Sequence, residues 1–374
     1  MRVLTVLGTR PEIIRLSLVT RLLDEHVEHV LVHTGQNYDD RLNGLFFREL
    51  RLREPDVYLN VKGAGFGEQA GRILAAIEPV LHERRPDRLL ILGDTNSGLA
   101  AIVARRLGIP VYHMEAGNRC YDDRVPEEIN RRVIDHVSTV LMPYTERSRE
   151  NLLREGIPGH RIFTTGNPIK QVIDAYAADV AASRVLGELG VEPGRYFVVT
   201  LHRAENVDDE ARLRRYLDAL ARLSATYGFP VVCSLHPRTR SRIERFGIDD
   251  AAAGLRFVEP LGFFDFVRLE QSAFCLLSDS GTVQEEACLF GVPNVTLRDV
   301  TERPETLDCG SNILSGSDPA DVERCVAAVT ALGGGWVPPR EYVQPLVAET
   351  VFRIVTGYRA PDAAELEWRA GTRA

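Results

Sequence analysis

Six polar or charged side chains stand just beyond short apolar runs. Arg10 follows residues 3–7, Asp94 follows 88–92 and Glu115 follows 110–114. His202 follows 196–201, His236 follows 231–235 and Ser280 follows 274–277. A carboxyl group such as Glu115, leaving an apolar strand for a glycine-containing loop, is desolvated. Its pKa is expected to rise, which suits general acid/base work. Asp94, in Gly93-Asp94-Thr95, is either a second acid or an N-cap. Glu127 and Glu128 open a helix after Pro126, where one of them can serve chemistry and the other the helix dipole.

The second half of the chain is richer in anion-binding chemistry. In Ser278-Asp279-Ser280-Gly281-Thr282, Asp279, Ser280 or Thr282 can cap a helix and Gly281 lets a ligand approach the backbone. Free N–H groups and the helix dipole favour a phosphate there. Gln284-Glu285-Glu286 follows, and a carboxylate about one turn into such a helix can hold ribose hydroxyls. His202-Arg203 and His236-Pro237-Arg238 end two other strands, and the first pair reads as a diphosphate clamp. Arg10 offers a cation in the first strand-to-helix turn, and Arg303 lies in the charged segment Thr301-Glu302-Arg303-Pro304-Glu305. There is no P-loop lysine motif, no GxGxxG and no HExxH. An NTPase, a nicotinamide enzyme and a metal enzyme are therefore disfavoured.

These residues need a scaffold that presents strand ends. Short β-branched runs alternate with amphipathic helices throughout, predicting parallel sheets, one in each half. Runs such as Leu89-Leu90-Ile91-Leu92 suit strands buried on both faces. In such sheets ligands lie beyond the carboxyl ends of the strands, which is where the polar residues fall. Further strands are expected at 30–33, 162–164 and 295–297. The chain is expected to divide into residues 1–168, carrying the acid/base groups, residues 169–355, binding the nucleotide, and a tail, 356–374, packing back on the first part. Phe263, Phe264, Phe266 and Phe274 are read as core rather than as a base-stacking wall.

Length and composition set outer limits. The chain has 374 residues, 44% hydrophobic and 26% charged, with a net charge of −8. That size suits two domains. The charge gives no basic footprint for nucleic acid or an anionic membrane. No run reaches the roughly 18 apolar residues of a membrane span, and the start of the chain does not read as a signal peptide. Cys120, Cys233, Cys275, Cys288, Cys309 and Cys325 form no CxxC pair. They read as reduced thiols of a cytoplasmic protein.

Seven motifs in this order resemble the non-hydrolysing UDP-N-acetylglucosamine 2-epimerases. They are Gly8-Thr9-Arg10-Pro11-Glu12, Gly93-Asp94-Thr95, Glu115-Ala116-Gly117, Pro126-Glu127-Glu128-Ile129-Asn130-Arg131, Thr200-Leu201-His202-Arg203-Ala204-Glu205-Asn206, Asp279-Ser280-Gly281-Thr282-Val283-Gln284-Glu285-Glu286 and Arg298-Asp299-Val300-Thr301-Glu302-Arg303-Pro304-Glu305. The resemblance implies a glycosyltransferase-B-like fold of two Rossmann-like domains facing across a cleft. It further implies a homodimer, no cofactor, and a UDP-amino sugar as substrate with UDP as a bound intermediate. The reaction it implies is inversion at C2: anti elimination of UDP gives a 2-acetamidoglycal, and UDP adds back after protonation on the other face. By motif, Asp94, Glu115 and Glu127 are the acid/base candidates. Arg10 and His202 contact the diphosphate or assist its departure, Ser280 and Gly281 bind phosphate, and Glu286 holds the ribose.

The sequence departs from this pattern in places. Arg15 stands where lysine is usual, which keeps the charge and changes the geometry. Asn118-Arg119-Cys120 replaces Leu-Arg-Thr. In many bacterial members substrate is also an allosteric activator. Gln36, Arg203 and His236 match parts of that second site, but Asp39 replaces a neutral residue, so this chain is expected not to need activation. The departures also resemble a branch acting on 6-deoxy UDP-amino sugars in the N-acetyl-L-fucosamine route. A glycosyltransferase of the same fold, a hydrolytic epimerase and a nucleotide-sugar binding module are the other readings.

Overall fold

A computed structural model of the chain describes residues 1–35, 40–63, 65–248 and 254–359. Gln36, Asp39 and most of the expected tail lie outside the described residues.

The chain divides into two compact units, Met1–Val172 with the chain from Glu341, and Ile173–Arg340. The first holds β1 (Arg2–Leu7), β2 (Glu28–His33), β3 (Val57–Tyr58), β4 (Arg88–Leu92), β5 (Val111–Met114) and β6 (Val140–Met142). All pair in parallel, in the order β3-β2-β1-β4-β5-β6. The second unit holds β7 (Phe197–Leu201), β8 (Val231–Leu235), β9 (Leu255–Val258), β10 (Cys275–Ser278), β11 (Asn294–Thr296) and β12 (Asn312–Leu314). It repeats the same parallel topology as β12-β11-β10-β7-β8-β9. In each unit the strand order reverses between the first and fourth strands, the position at which such sheets open a ligand crevice. The carboxyl ends of β1 and β4 flank it in one unit, and those of β7 and β10 in the other.

Burial explains the apolar runs. Val199, Leu201, Val231, Cys233, Leu235 and Leu277 line one face of the second sheet. Val198, Val232 and Leu276 line the other. Helices cover both faces, so neighbouring positions in a strand are all apolar. Phe274 packs against Phe197 and Phe229 with ring centroids 5.4 and 5.3 Å apart, which sets it, partly buried, against the margin of that core.

Three features differ from the sequence expectation. Residues 162–164 form only an isolated parallel bridge, Ile162 to Leu141. The short strands β3, β6, β9 and β12 were not expected, because two to four residues carry too little periodicity to register. Residues 341–355, expected in the second domain, belong to the first unit. Helix Val347–Gly357 buries Val347, Val351 and Val355, and Arg88 reaches back to the Val355 carbonyl. Tyr112 Oη likewise donates to the Tyr358 carbonyl at 2.6 Å.

Candidate active site

In the first unit the turns after β1, β4 and β5 carry the candidate residues. Gly8 leads into helix Arg10–His26 through a capping box closed by Glu12. The Glu12 carboxylate accepts from the N–H groups of Gly8 (2.8 Å) and Thr9 (2.7 Å), from Thr9 Oγ1 (2.9 Å) and from Thr95 Oγ1 (2.7 Å). It thereby ties the β1 turn to the β4 turn. Sequence reading missed this role, because a glutamate three residues into a helix looks like a simple capping residue.

Burial pushes Glu12 up to about 7, against the four hydrogen bonds that lower it. The folded protein therefore binds a proton here more tightly than the unfolded chain. The stability this confers is complete at pH values below the unfolded pKa and is lost as pH rises through about 7. Glu12→Gln can keep the three acceptor contacts on its carbonyl and donate its amide to Thr95 Oγ1. Melting temperatures of wild type relative to this variant are expected to fall as pH rises from about 5 to about 8. A difference that stays constant over that range would contradict the assignment.

Asp94 and Glu115 follow. Thr95, not Asp94, caps the 3₁₀ turn Asn96–Leu99, through Ser97 N at 3.2 Å. That removes the N-cap reading of Asp94, whose carboxylate instead pairs with Arg131 and is 19% exposed. Glu115 has φ +64°, a left-handed conformation that costs a non-glycine residue roughly 1–2 kcal/mol. Strain of this kind points to a functional constraint. The Glu115 carboxylate takes Arg15 Nη1 at 2.5 Å and Asn118 Nδ2 at 3.3 Å, and Arg15 also lies over the Tyr144 ring. Glu115 is buried as expected, and the partner at its carboxylate is the Arg15 guanidinium.

The glutamate pair of helix Pro126–Val137 separates cleanly. Glu128 is fully buried and binds Arg131 and Arg132, each at 2.9 Å, and the N–H of Cys120 at 3.0 Å. Glu127, its neighbour, is half-buried. Beneath these turns runs a buried chain that sequence reasoning missed. His113 Nε2 meets the Gly93 carbonyl at 2.8 Å, and His113 Nδ1 lies 2.9 Å from Asp135. Asp135 also accepts from Gly117 N (3.1 Å) and binds Arg119 (2.8 Å), which reaches Glu155 at 2.6 Å. Arg10 approaches the Phe46 ring at 6.0 Å.

In the second unit Asp279 organises the switch point. Fully buried, it accepts from the N–H groups of His202 and Arg203 and from Asn206 Nδ2, at 2.9–3.2 Å. His202 Nδ1 lies 3.1 Å from it. His202 and these hydrogen bonds hold the Asp279 carboxyl well below the usual range, overcoming its burial. Helix Gly281–Phe290 therefore starts at Ser280 with no side-chain cap, and Ser280 Oγ instead bonds Thr282 Oγ1 at 2.7 Å. The Arg303 guanidinium lies over Gly281, 3.6 Å from where a Cβ would stand, and pairs with Glu285. Amide donors and a cation thus face one spot, a suitable seat for an anion. Arg203 lies 3.7 Å from Glu302, and the His202 and His236 rings are 5.6 Å apart. Glu286, 5% exposed, sits one turn along the helix. Among the described residues no cluster of three or more His, Cys, Asp or Glu could hold a metal ion, and all six cysteines are free. No described helix is long and apolar enough to cross a membrane.

The sequence profile of the UDP-N-acetylglucosamine 2-epimerase family matches residues 21–355. The chain belongs to this family. It is 40% identical over 367 residues to the UDP-N-acetylglucosamine 2-epimerase of Methanocaldococcus jannaschii, covering 95% of this chain and 99% of the relative. It is 39% identical over 323 residues to the UDP-2,3-diacetamido-2,3-dideoxy-D-glucuronate 2-epimerase of Pseudomonas aeruginosa, covering 85% and 89%. The M. jannaschii enzyme solved with UDP-GlcNAc and UDP superposes at a TM-score of 0.91, with 95% and 99% coverage and 39% identity. The glycosyltransferase WaaG, 13% identical, shares the fold at a TM-score of 0.60 over 95% of this chain and all of its own. The fold is accordingly glycosyltransferase-B-like. The protein is a 2-epimerase, an isomerase acting at C2 of a UDP-amino sugar.

Proposed function

We propose that this enzyme interconverts UDP-GlcNAc and UDP-ManNAc by anti elimination of UDP and re-addition to a 2-acetamidoglycal. The supporting observation is Glu115: a carboxylate held by Arg15 in a strained left-handed turn beside the switch point of the first sheet. A C2–H bond is weakly acidic, so its removal needs a fixed base, an acid for the opposite face and a stabilised leaving group. Asp94, Glu115 and Glu127 are the acid/base set in this reading. Arg10, Arg15, Arg303, His202, Ser280 and Gly281 stabilise the departing diphosphate, and Glu286 takes the ribose hydroxyls. In elimination a carboxylate receives the C2 proton while the C1–O bond electrons leave with the β-phosphate. Protonation of C2 on the other face and return of the phosphate oxygen to C1 complete the inversion. The same reading has the protein work as a cytoplasmic homodimer without a cofactor.

Incubation with UDP-GlcNAc alone in deuterated water is the test. Deuterium at C2 and UDP-ManNAc by proton NMR are expected. Accumulating free UDP would replace the proposal with a hydrolytic reaction, and no exchange would remove this substrate. A second substrate is favoured by the Pseudomonas relative, which is nearly as similar as the archaeal one and is named for a diacetamido-glucuronate. That sugar and the 6-deoxy sugars belong in the same NMR comparison.

A further inference from the structure

We propose that Glu270 is a positioning residue for nucleotide binding: a protonated carboxyl that hydrogen-bonds the Glu286 carboxylate and aims it at the ribose. The inference rests on the reading that Glu286 receives the ribose hydroxyls. Glu270 lies on helix Phe263–Gln271, which shares an apolar cluster with helix Gly281–Phe290 through Leu269, Val283 and Ala287. It is fully buried, and no N–H donor of the described residues reaches either of its carboxyl oxygens. What faces it is the Glu286 carboxyl. The adjacent Tyr196 phenol is committed elsewhere, donating to the Leu269 carbonyl at 2.6 Å. Glu285, the other acid on the Glu286 helix, is already paired with Arg303.

Two carboxylates sharing a buried site do not both ionise. An ionised Glu270 without a donor would carry the full cost of burial. The proton therefore stays between them. It belongs on Glu270, which is wholly enclosed, while Glu286 keeps 5% exposure. Burial first, and then the neighbouring Glu286, push the Glu270 carboxyl well above the usual range. Protonated, Glu270 donates its O–H to one Glu286 oxygen. The remaining lone pairs of a charged acceptor are then fixed in direction for two ribose donors, at no cost in a second buried charge.

The test compares affinities for UDP and 2′,3′-dideoxy-UDP by calorimetry. Glu270→Leu is expected to weaken UDP about tenfold, the scale of one hydrogen bond to a charged group, and to leave the dideoxy nucleotide unchanged. Glu270→Gln retains an uncharged N–H donor and should restore UDP to within roughly threefold of wild type. In turnover, the Leu variant should raise KM for the UDP-sugar with kcat little changed. Equal losses in Leu and Gln, or equal losses for both nucleotides, would overturn the inference. Glu286→Gln separates it from the underlying reading. If that variant leaves the preference for UDP intact, Glu286 does not hold the ribose. If that variant abolishes the preference and Glu270→Leu does not, only the role of Glu270 fails.

Discussion

Glu115→Gln and Asp94→Asn are each expected to lower turnover by more than about 100-fold, the scale of a lost acid or base. Both replacements are close to isosteric, and the local contacts can survive them. A glutamine at 115 still accepts from Arg15 through its carbonyl, and Asn118 can turn its own carbonyl toward the new amide. An asparagine at 94 still accepts from Arg131. What disappears is the capacity to take or return a proton at C2. The measurements are kcat for UDP-GlcNAc and the rate of C2 deuterium exchange, with UDP affinity as the control for an intact site. Exchange should fall with turnover, while UDP binding should change little, because neither replacement removes any of the groups proposed to hold the diphosphate, Arg10 and Arg15 in this unit or Ser280, Gly281 and Arg303 in the other. Near-normal rates in both variants would remove the assigned roles.

Gly117→Ala should cost about 3 kcal/mol or more of folding stability. Gly117 has φ +79°, and an added Cβ would stand 2.3 Å from the Ser148 carbonyl oxygen and 2.8 Å from Leu152 Cγ. The first obstacle is backbone, which cannot swing aside as a flexible side chain could. The same turn presents the Gly117 N–H to Asp135 and follows directly on Glu115. The variant should therefore lose activity even below its melting temperature. Chemical denaturation with a curve superimposable on that of wild type would refute the packing argument.

Much of this was legible because strand ends carry a double signal. Leu89-Leu90-Ile91-Leu92 followed by Gly93-Asp94-Thr95 announces both a buried parallel strand and a polar turn, and β4 runs over Arg88–Leu92 as expected. Asp94, Glu115, His202 and Ser280 were expected just beyond strand ends for the same reason, and they follow β4, β5, β7 and β10. Residues acting through a partner distant in sequence were not. Arg131 matters because it meets Asp94, 37 residues away, and Asp135 because it meets Gly117 and His113. Glu270 sits in an ordinary amphipathic helix and gains meaning only from Glu286 opposite. Such pairings are set by tertiary packing, which periodicity and motif spacing do not encode. Helix Val347–Gly357 is a further case: it joins the first unit by packing on helix Arg10–His26, from the opposite end of the chain.

The imidazole–carboxylate couple of His113 and Asp135 has a consequence for redesign. It grips the Gly93 carbonyl with one end and the Gly117 amide with the other, so the two acid-bearing turns are geared together rather than independently adjustable. Retargeting this scaffold to a different sugar is best pursued by varying side chains that project outward from those turns. Lengthening or shortening either turn would shift both acids at once.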